Sequence, residues 1–379
     1  MQRATSYVDT PEQARTAGRS IAAADTLAVD CEAAGYHRYS DRLCLVQLST
    51  PQRTFVLDPL AVDLTPPLKA LESPQRRVLM HGAAYDLRLL RRDLDIRVAR
   101  LVDTQVGAAL LGEPAVGLQA LLEKHLGIRV SKRFQKADWA RRPLSAEMVE
   151  YAAGDTRYLH RLAAILGERL REAGRMSWAE EECAWLVRNA SSSGTPEPPA
   201  DPVIRFREAR RMRPRALTAL RAVIGWRDAV ARELDRAPFR VASDATLLEV
   251  VLRSPTSLHQ LARVRGFPAR FVRSRGESLL RVLEKVDRLT AAELSPYPLP
   301  ARTRARPTPD EEAAFERLKS ARNRVAHELS LDRGRVMANN VLRAVAVANP
   351  RNLQELLAVE DVREWQAEVL GEKLLAAMK

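Results

Sequence analysis

The residues that could do chemistry begin with Asp30 and Glu32. They close the run Thr26-Leu27-Ala28-Val29-Asp30-Cys31-Glu32, an apolar stretch with β-branched residues at 26 and 29. In a strand, residues two apart share a face, so the two carboxylates stand together and Cys31 turns to the other side. Like charges that close repel unless a cation lies between them. The pair is either a cradle for a divalent metal or a strand end running into solvent. Carboxylates that arrive later decide between the two. Asp86 sits in the first turns of a helix that follows Val78-Leu79-Met80-His81 and Gly82. Carboxyl ends of strands are where α/β sites tend to be built. Tyr151 and Asp155 are four residues apart in a later helix and therefore share one face. Taken alone, they could equally form a plain surface pair.

The elements that must position these residues read as an α/β unit followed by all-α segments. Thr10-Pro11-Glu12 is an N-cap with Pro and Glu in a first turn. Strands are predicted at 26–32, 43–49, 54–57 and 78–81. The short gap Thr50-Pro51-Gln52-Arg53 makes its flanking strands antiparallel neighbours, so the sheet is mixed. Leu101-Val102-Asp103-Thr104-Gln105 is a strand-to-helix step with Asp103 as a cap. Residues 117–127 form a helix closed by glycine. Arg142-Pro143-Leu144-Ser145 starts a helix, with Ser145 as its N-cap, that runs to about 174, and another helix spans 178–189. Residues 191–202 have linker composition. Helical periodicity then takes over at 217–234, 247–252, 258–264 and 272–289. A second linker, 295–309, carries five prolines, and 310–378 is again all helix. The segments 206–289 and 315–378 share one layout, including Pro-led helices at Ser254-Pro255 and Asn349-Pro350, and read as two copies of one module. The expected domains are 1–194, 203–290 and 310–379.

Composition narrows the class. The chain has 379 residues, is 46% hydrophobic and carries a formal charge of +13. No stretch is apolar for about 18 residues, which argues against a membrane span. The polar start argues against a secretory signal. The three cysteines (31, 44, 183) form no C-x-x-C pair and read as reduced thiols of a cytoplasmic protein. The six histidines lie far apart, which argues against a histidine-built zinc site. The charge is local: residues 1–200 hold 27 basic and 25 acidic residues, 201–290 hold 20 and 10, and 310–379 hold 11 and 12. A single strongly basic segment suits a polyanion such as nucleic acid. Within it, Gly266-Phe267-Pro268 is flanked by Arg263, Arg265, Arg270, Arg273 and Arg275. A turn feeding a helix N-terminus beside arginines either holds a phosphate or is a solvated basic face. The second module has Glu360-Asp361-Val362 in place of that turn. Its near-neutral balance suits packing or protein contact.

The ordered set Asp30, Glu32, Asp86, Asp155 with Tyr151 one turn before the last acid resembles the DEDD 3′–5′ exonuclease superfamily, in its tyrosine branch. The histidine branch would need His at 150, where Glu150 stands. Lys132-Arg133-Phe134-Gln135-Lys136-Ala137-Asp138-Trp139, Arg142-Pro143-Leu144 and Tyr151-Ala152-Ala153-Gly154-Asp155 look like the run before the third motif of the ribonuclease D family. Leu43 to Leu48 and Asp103-Thr104-Gln105 are similar too, and the two modules resemble tandem HRDC domains. The resemblance implies an RNase H-like mixed-sheet exonuclease domain and two helical HRDC domains. It implies two divalent ions (Mg²⁺ or Mn²⁺), with Asp30 bridging both. Glu32 and Asp155 complete the site that activates water, Asp86 serves the second ion, and Tyr151 orients the attacking water. The expected substrate is RNA with a free 3′ end, most of all tRNA precursors, and the expected state a monomer. Lys132, Gln135 and the five arginines are the expected RNA contacts. A DNA-directed exonuclease in repair and a non-catalytic nucleic-acid scaffold are the alternatives.

Overall fold

The computed structural model describes residues 4–192, 201–298 and 308–378, so most of both Pro-rich linkers lies outside the described residues. The chain opens on β1 (Ala4–Val8) and α1 (Pro11–Ala22), followed by β2 (Thr26–Ala33), β3 (Leu43–Ser49) and β4 (Arg53–Leu57). After the short α2 (Thr65–Leu68), β5 (Arg77–Met80) feeds α3 (Ala84–Leu94) and β6 (Leu101–Asp103) feeds α4 (Thr104–Leu110). α5 (Leu118–Leu126), α6 (Ala146–Arg157), α7 (Leu159–Glu172) and α8 (Met176–Ser192) complete the first unit. The sheet order is β1-β4-β3-β2-β5-β6. β3 is antiparallel to both its neighbours, and the remaining pairs are parallel. The sheet is therefore mixed, as the short connections require.

Two readings of the sequence need correction in this unit. The edge strand β1 was not anticipated. Its Ala4-Thr5-Ser6-Tyr7-Val8 is short and largely polar, and it pairs with β4 from Ala4↔Arg53 onward, so its partner is remote in sequence. The helix predicted from Ser145 to about 174 is two helices, because the Tyr158 N–H turns to the Thr156 carbonyl and interrupts the ladder there.

The rest is helical. The first module holds α9 (Pro214–Glu233), α10 (Pro238–Val241), α11 (Asp244–Arg253), α12 (Leu258–Ala262) and α13 (Ala269–Asp287). The second holds α14 (Pro309–Glu328), α15 (Arg333–Val336), α16 (Asn339–Ala348), α17 (Leu353–Leu357) and α18 (Glu364–Met378). The two repeat each other element by element, including left-handed residues after the third helix at Ser254 and Asn349. In this register Gly266 (φ +80°) matches Asp361 (φ +67°), so the second module replaces Gly-Phe-Pro with Asp361-Val362-Arg363, one residue later than the sequence comparison placed it. Phe267 packs on Trp226, which makes the Gly-Phe-Pro turn part of its module's core.

Both modules are docked on the first unit. The second shares an apolar core with α7 and α8, in which Trp178 and Trp365 stack at 4.9 Å. Glu181 on α8 accepts from the Glu364 and Trp365 backbone N–H groups at the start of α18, and Trp185 Nε1 donates to Asp361 at 3.1 Å. The first module meets the loop after β2: Tyr39 Oη donates to Asp228 at 2.9 Å and Ala237 N–H donates to the His37 carbonyl. No helix among the described residues is long and apolar enough to cross a membrane.

Candidate active site

Strand β2 alternates as its sequence demands. Leu27, Val29 and Cys31 enter the core on one side, and Asp30 and Glu32 face the other. Burial, together with the neighbouring Asp86, Asp30 and Glu32 carboxylates, pushes the Cys31 thiol up, so it is an inert core group. Across the ladder, Asp30 pairs with Gln47 and Glu32 with Leu45. α6 lies over this face. Its Ala152 and Ala153 are fully buried, and small residues let the helix backbone approach the sheet closely. Thr156 is within 2.8 Å of Ser49, hydroxyl to hydroxyl, which fixes the helix on β3. Tyr151 and Asp155 are thereby brought above Asp30 and Glu32.

One carboxylate oxygen from each of Asp30, Glu32 and Asp155 lies within 4.8 Å of the others. Asp86 reaches the same region from the start of α3. Its position follows from Asp103, which accepts from the Gly82 and Ala83 N–H groups at 2.9 and 2.8 Å and caps α4 through Gln105. That holds the left-handed turn at Gly82 from which α3 departs. Asp103 thus does more than the capping expected of it.

Four carboxylates with no cation among them are mutually unfavourable. Burial, then the charges of Asp86, Asp155 and Glu32, push Asp30 well above the usual carboxylate range. Glu32 is raised by burial and by Asp155 and Asp86. Asp86 is raised to about 8 by burial, Asp103 and Asp155, and Asp155 to about 7 by burial. A divalent cation would relieve this cost. The donors are all carboxylate oxygens, a set that fits Mg²⁺ or Mn²⁺ better than zinc. Gln47, opposite Asp30, is fully buried and its amide has no hydrogen-bond partner among the described residues. A buried orphan amide beside a carboxylate cluster fits a site that gains further polar ligands. Sequence reasoning missed Gln47, although a glutamine inside the apolar Leu43-Cys44-Leu45-Val46-Gln47-Leu48 was a visible signal.

Tyr151 is held by rings: Trp139 stacks on it at 6.0 Å and Phe134 meets it edge-on at 5.7 Å. Burial and the Asp155, Glu32 and Asp30 charges raise its phenol further, so it stays protonated at neutral pH and has a proton to donate. Glu150, in the place a histidine would take, is paired with Arg157 at 2.5 Å. Trp139 is held by Arg142, which donates to its carbonyl at 2.6 Å and grips the buried Asp58 with two bonds, at 2.6 and 2.8 Å.

A cleft of about 520 Å³ opens beside the acids, lined by Glu32, Tyr36, Tyr85, Gln135 and Trp139 among others. Of the expected RNA contacts, Gln135 lines it. Lys132 is exposed on the same loop but does not line the cleft. Arg263, Arg265, Arg270 and Arg273 are exposed on the first module and do not line it either, and Arg275 is tied to Glu233.

Comparisons with known proteins agree with this geometry. The family profile described as 3′-5′ exonuclease matches residues 5–171, and the HRDC domain profile matches 216–283 and 311–378. The ribonuclease D of Cronobacter turicensis is 30% identical over 360 residues, covering 92% of this chain and 93% of its own. That of Escherichia coli K12 is 29% identical over 362 residues, covering 94% and 93%. Among solved structures, a protein from Bifidobacterium adolescentis superposes with TM-score 0.82 at 25% identity, over 98% of this chain and 96% of its own. The catalytic core of RRP6 from Trypanosoma brucei superposes with TM-score 0.65 at 26% identity, over 75% and 80%. Sequence, domain order and fold agree that the chain belongs to the ribonuclease D family and is a 3′–5′ exoribonuclease.

Proposed function

We propose that Asp30, Glu32, Asp86 and Asp155 hold two divalent cations, Mg²⁺ or Mn²⁺, and that Tyr151 completes the catalytic set. The observation that carries this is the meeting of Asp30 and Glu32 with Asp155, from elements more than 100 residues apart, within 4.8 Å. When bound, the cations would supply an activated water and offset the charge on the leaving 3′ oxygen. Asp30 and Glu32, fixed on a strand, set the position of the reacting phosphate. Tyr151, a protonated phenol in a cage of two rings, donates to the attacking oxygen and orients it. Hydrolysis then releases 5′-mononucleotides.

The substrate we propose is the 3′ end of tRNA precursors and other small structured RNAs. The E. coli ribonuclease D is described as an exoribonuclease involved in structured RNA processing, which supports that class. We also propose domain limits of 1–194, 203–290 and 310–379, a monomer, and a cytoplasmic site of action. Three free, buried cysteines suit a reducing compartment.

The test is a 5′-labelled RNA with a single-stranded 3′ tail, incubated with Mg²⁺ or Mn²⁺ beside a matched DNA. A ladder shortening from the 3′ end, stopped by EDTA, is the expected result. Asp155→Asn and Asp30→Ala should each lower the rate by about 10³-fold or more while RNA binding persists. Intact cleavage in both variants would remove these residues from the chemistry. Degraded DNA beside unchanged RNA would move the substrate to DNA.

A further inference from the structure

Two large aromatic side chains from different domains stand exposed and face each other at the mouth of the cleft. Tyr36 lies on the loop after β2 and is 41% exposed, and Phe239 on α10 of the first module is 50% exposed. Their ring centroids are 5.5 Å apart at an interplanar angle of 53°. Tyr36 also lines the cleft with Glu32, so the pair is continuous with the acidic cluster. Two cations attend it. The Arg240 guanidinium lies 4.8 Å from the Tyr36 ring centre and 5.9 Å from that of Phe239, and Lys136 Nζ lies 5.7 Å from the Tyr36 ring. Neither cation has a carboxylate partner among the described residues, whereas their neighbour Arg38 is paired with Asp138 at 2.8 Å and Asp235 at 3.4 Å. The aromatic pair is held in place rather than buried. Arg240 Nε donates to the Tyr36 carbonyl at 2.8 Å, and a His37 ring nitrogen lies 2.8 Å from the Lys136 carbonyl.

Exposed rings flanked by cations that lack carboxylate partners, beside a phosphodiester-cleaving cleft, match the chemistry of single-stranded nucleic acid. Bases stack on aromatic faces irrespective of sequence, and Lys or Arg meets the phosphates. An apolar protein partner would leave both charges without partners. We propose that Tyr36 and Phe239 form a base-stacking site for the single-stranded RNA segment leading into the cleft, with Arg240 and Lys136 on its phosphates. The inference rests on the cleft being where RNA is cut. It makes the first module a positioning part of the substrate path through Phe239 and Arg240, outside the arginines around Gly266.

The experiment compares kcat and KM of the full chain, with Mg²⁺, on a diribonucleotide and on longer single-stranded oligoribonucleotides. Phe239→Leu keeps the apolar volume and removes the ring. It should raise KM on the longer RNA by about 5- to 100-fold and leave kcat unchanged. Both constants on the diribonucleotide should also stay unchanged, and Phe239→Trp should restore the longer substrate. Lys136→Gln should reduce the slope of log affinity against log salt by about 0.7. An unchanged KM in Phe239→Leu, an equal loss on the diribonucleotide, or no rescue by Trp would overturn the stacking site. A wild-type chain that cuts no RNA would instead overturn the reading beneath it.

Discussion

A carboxylate beside other carboxylates makes the strongest statement at the scale of single residues. Asp86 and Asp155 ionise at about 8 and about 7 in the folded chain without metal. In an unfolded chain they ionise near 4. Between those values the folded state binds more protons than the unfolded one, so stability falls as pH rises through that window. Melting in EDTA should therefore weaken from pH 5 to pH 8. Mg²⁺ should raise the melting temperature more at pH 8 than at pH 5, because the ligands must be deprotonated to bind. A melting temperature in EDTA that is flat across the window would contradict the charge crowding. Asp86→Asn should stabilise the metal-free protein at pH 8 by roughly 1–3 kcal/mol while reducing activity.

The element that holds Tyr151 is the loop 131–143, through Phe134 and Trp139. Its hinge is Arg142, whose two bonds to Asp58 and contacts to the Trp139 and Cys44 carbonyls bind the loop to β3 and to the end of β4. Asp58 is buried and also accepts from the Tyr7 hydroxyl on β1, which fastens the unanticipated edge strand to the same point. Arg142→Met would leave Asp58 buried and half-paired. It should cost about 3 kcal/mol, read as a lower urea midpoint. Tyr151 would lose its ring cage, so kcat should fall more than the stability change accounts for. An unchanged kcat would place the loop outside the catalytic support.

Each helical module docks on the first unit rather than trailing from it. The near-neutral second module packs through Asp361, Arg363 and Trp365 onto α8, as its charge balance suggested. The basic first module keeps Arg263, Arg265, Arg270 and Arg273 in solvent and touches the first unit near the cleft. Trp185→Ala with Glu181→Ala removes two of the α8 side chains that hold the second module and leaves that module's core intact. The double variant should show a larger radius of gyration in small-angle scattering. It should keep its activity on a diribonucleotide, because the acids lie in the first unit. An unchanged radius would mean that the shared apolar core, with Trp178 and Trp365, suffices for docking.

The amino-acid sequence determined the ingredients of the site and their local setting. Strand alternation put Asp30 and Glu32 on one face and Cys31 on the other, helical spacing joined Tyr151 to Asp155, and the glycine turn placed Asp86 at a strand end. Those are short-range consequences of backbone geometry; the order of the acids suggested the exonuclease superfamily, and the runs at 132–139, 142–144 and 151–155 with the two helical modules suggested the family. Tertiary structure decided what depends on distant partners. The polar strand β1 exists because β4 offers it a free edge. Gln47 enters the site because antiparallel register sets it opposite Asp30. Phe239 meets Tyr36 because a module some two hundred residues downstream docks on the loop after β2. Packing of remote surfaces, unlike alternation or capping, leaves no periodic trace in the chain, and it is packing that turned a row of acids into a cleft with a path leading to it.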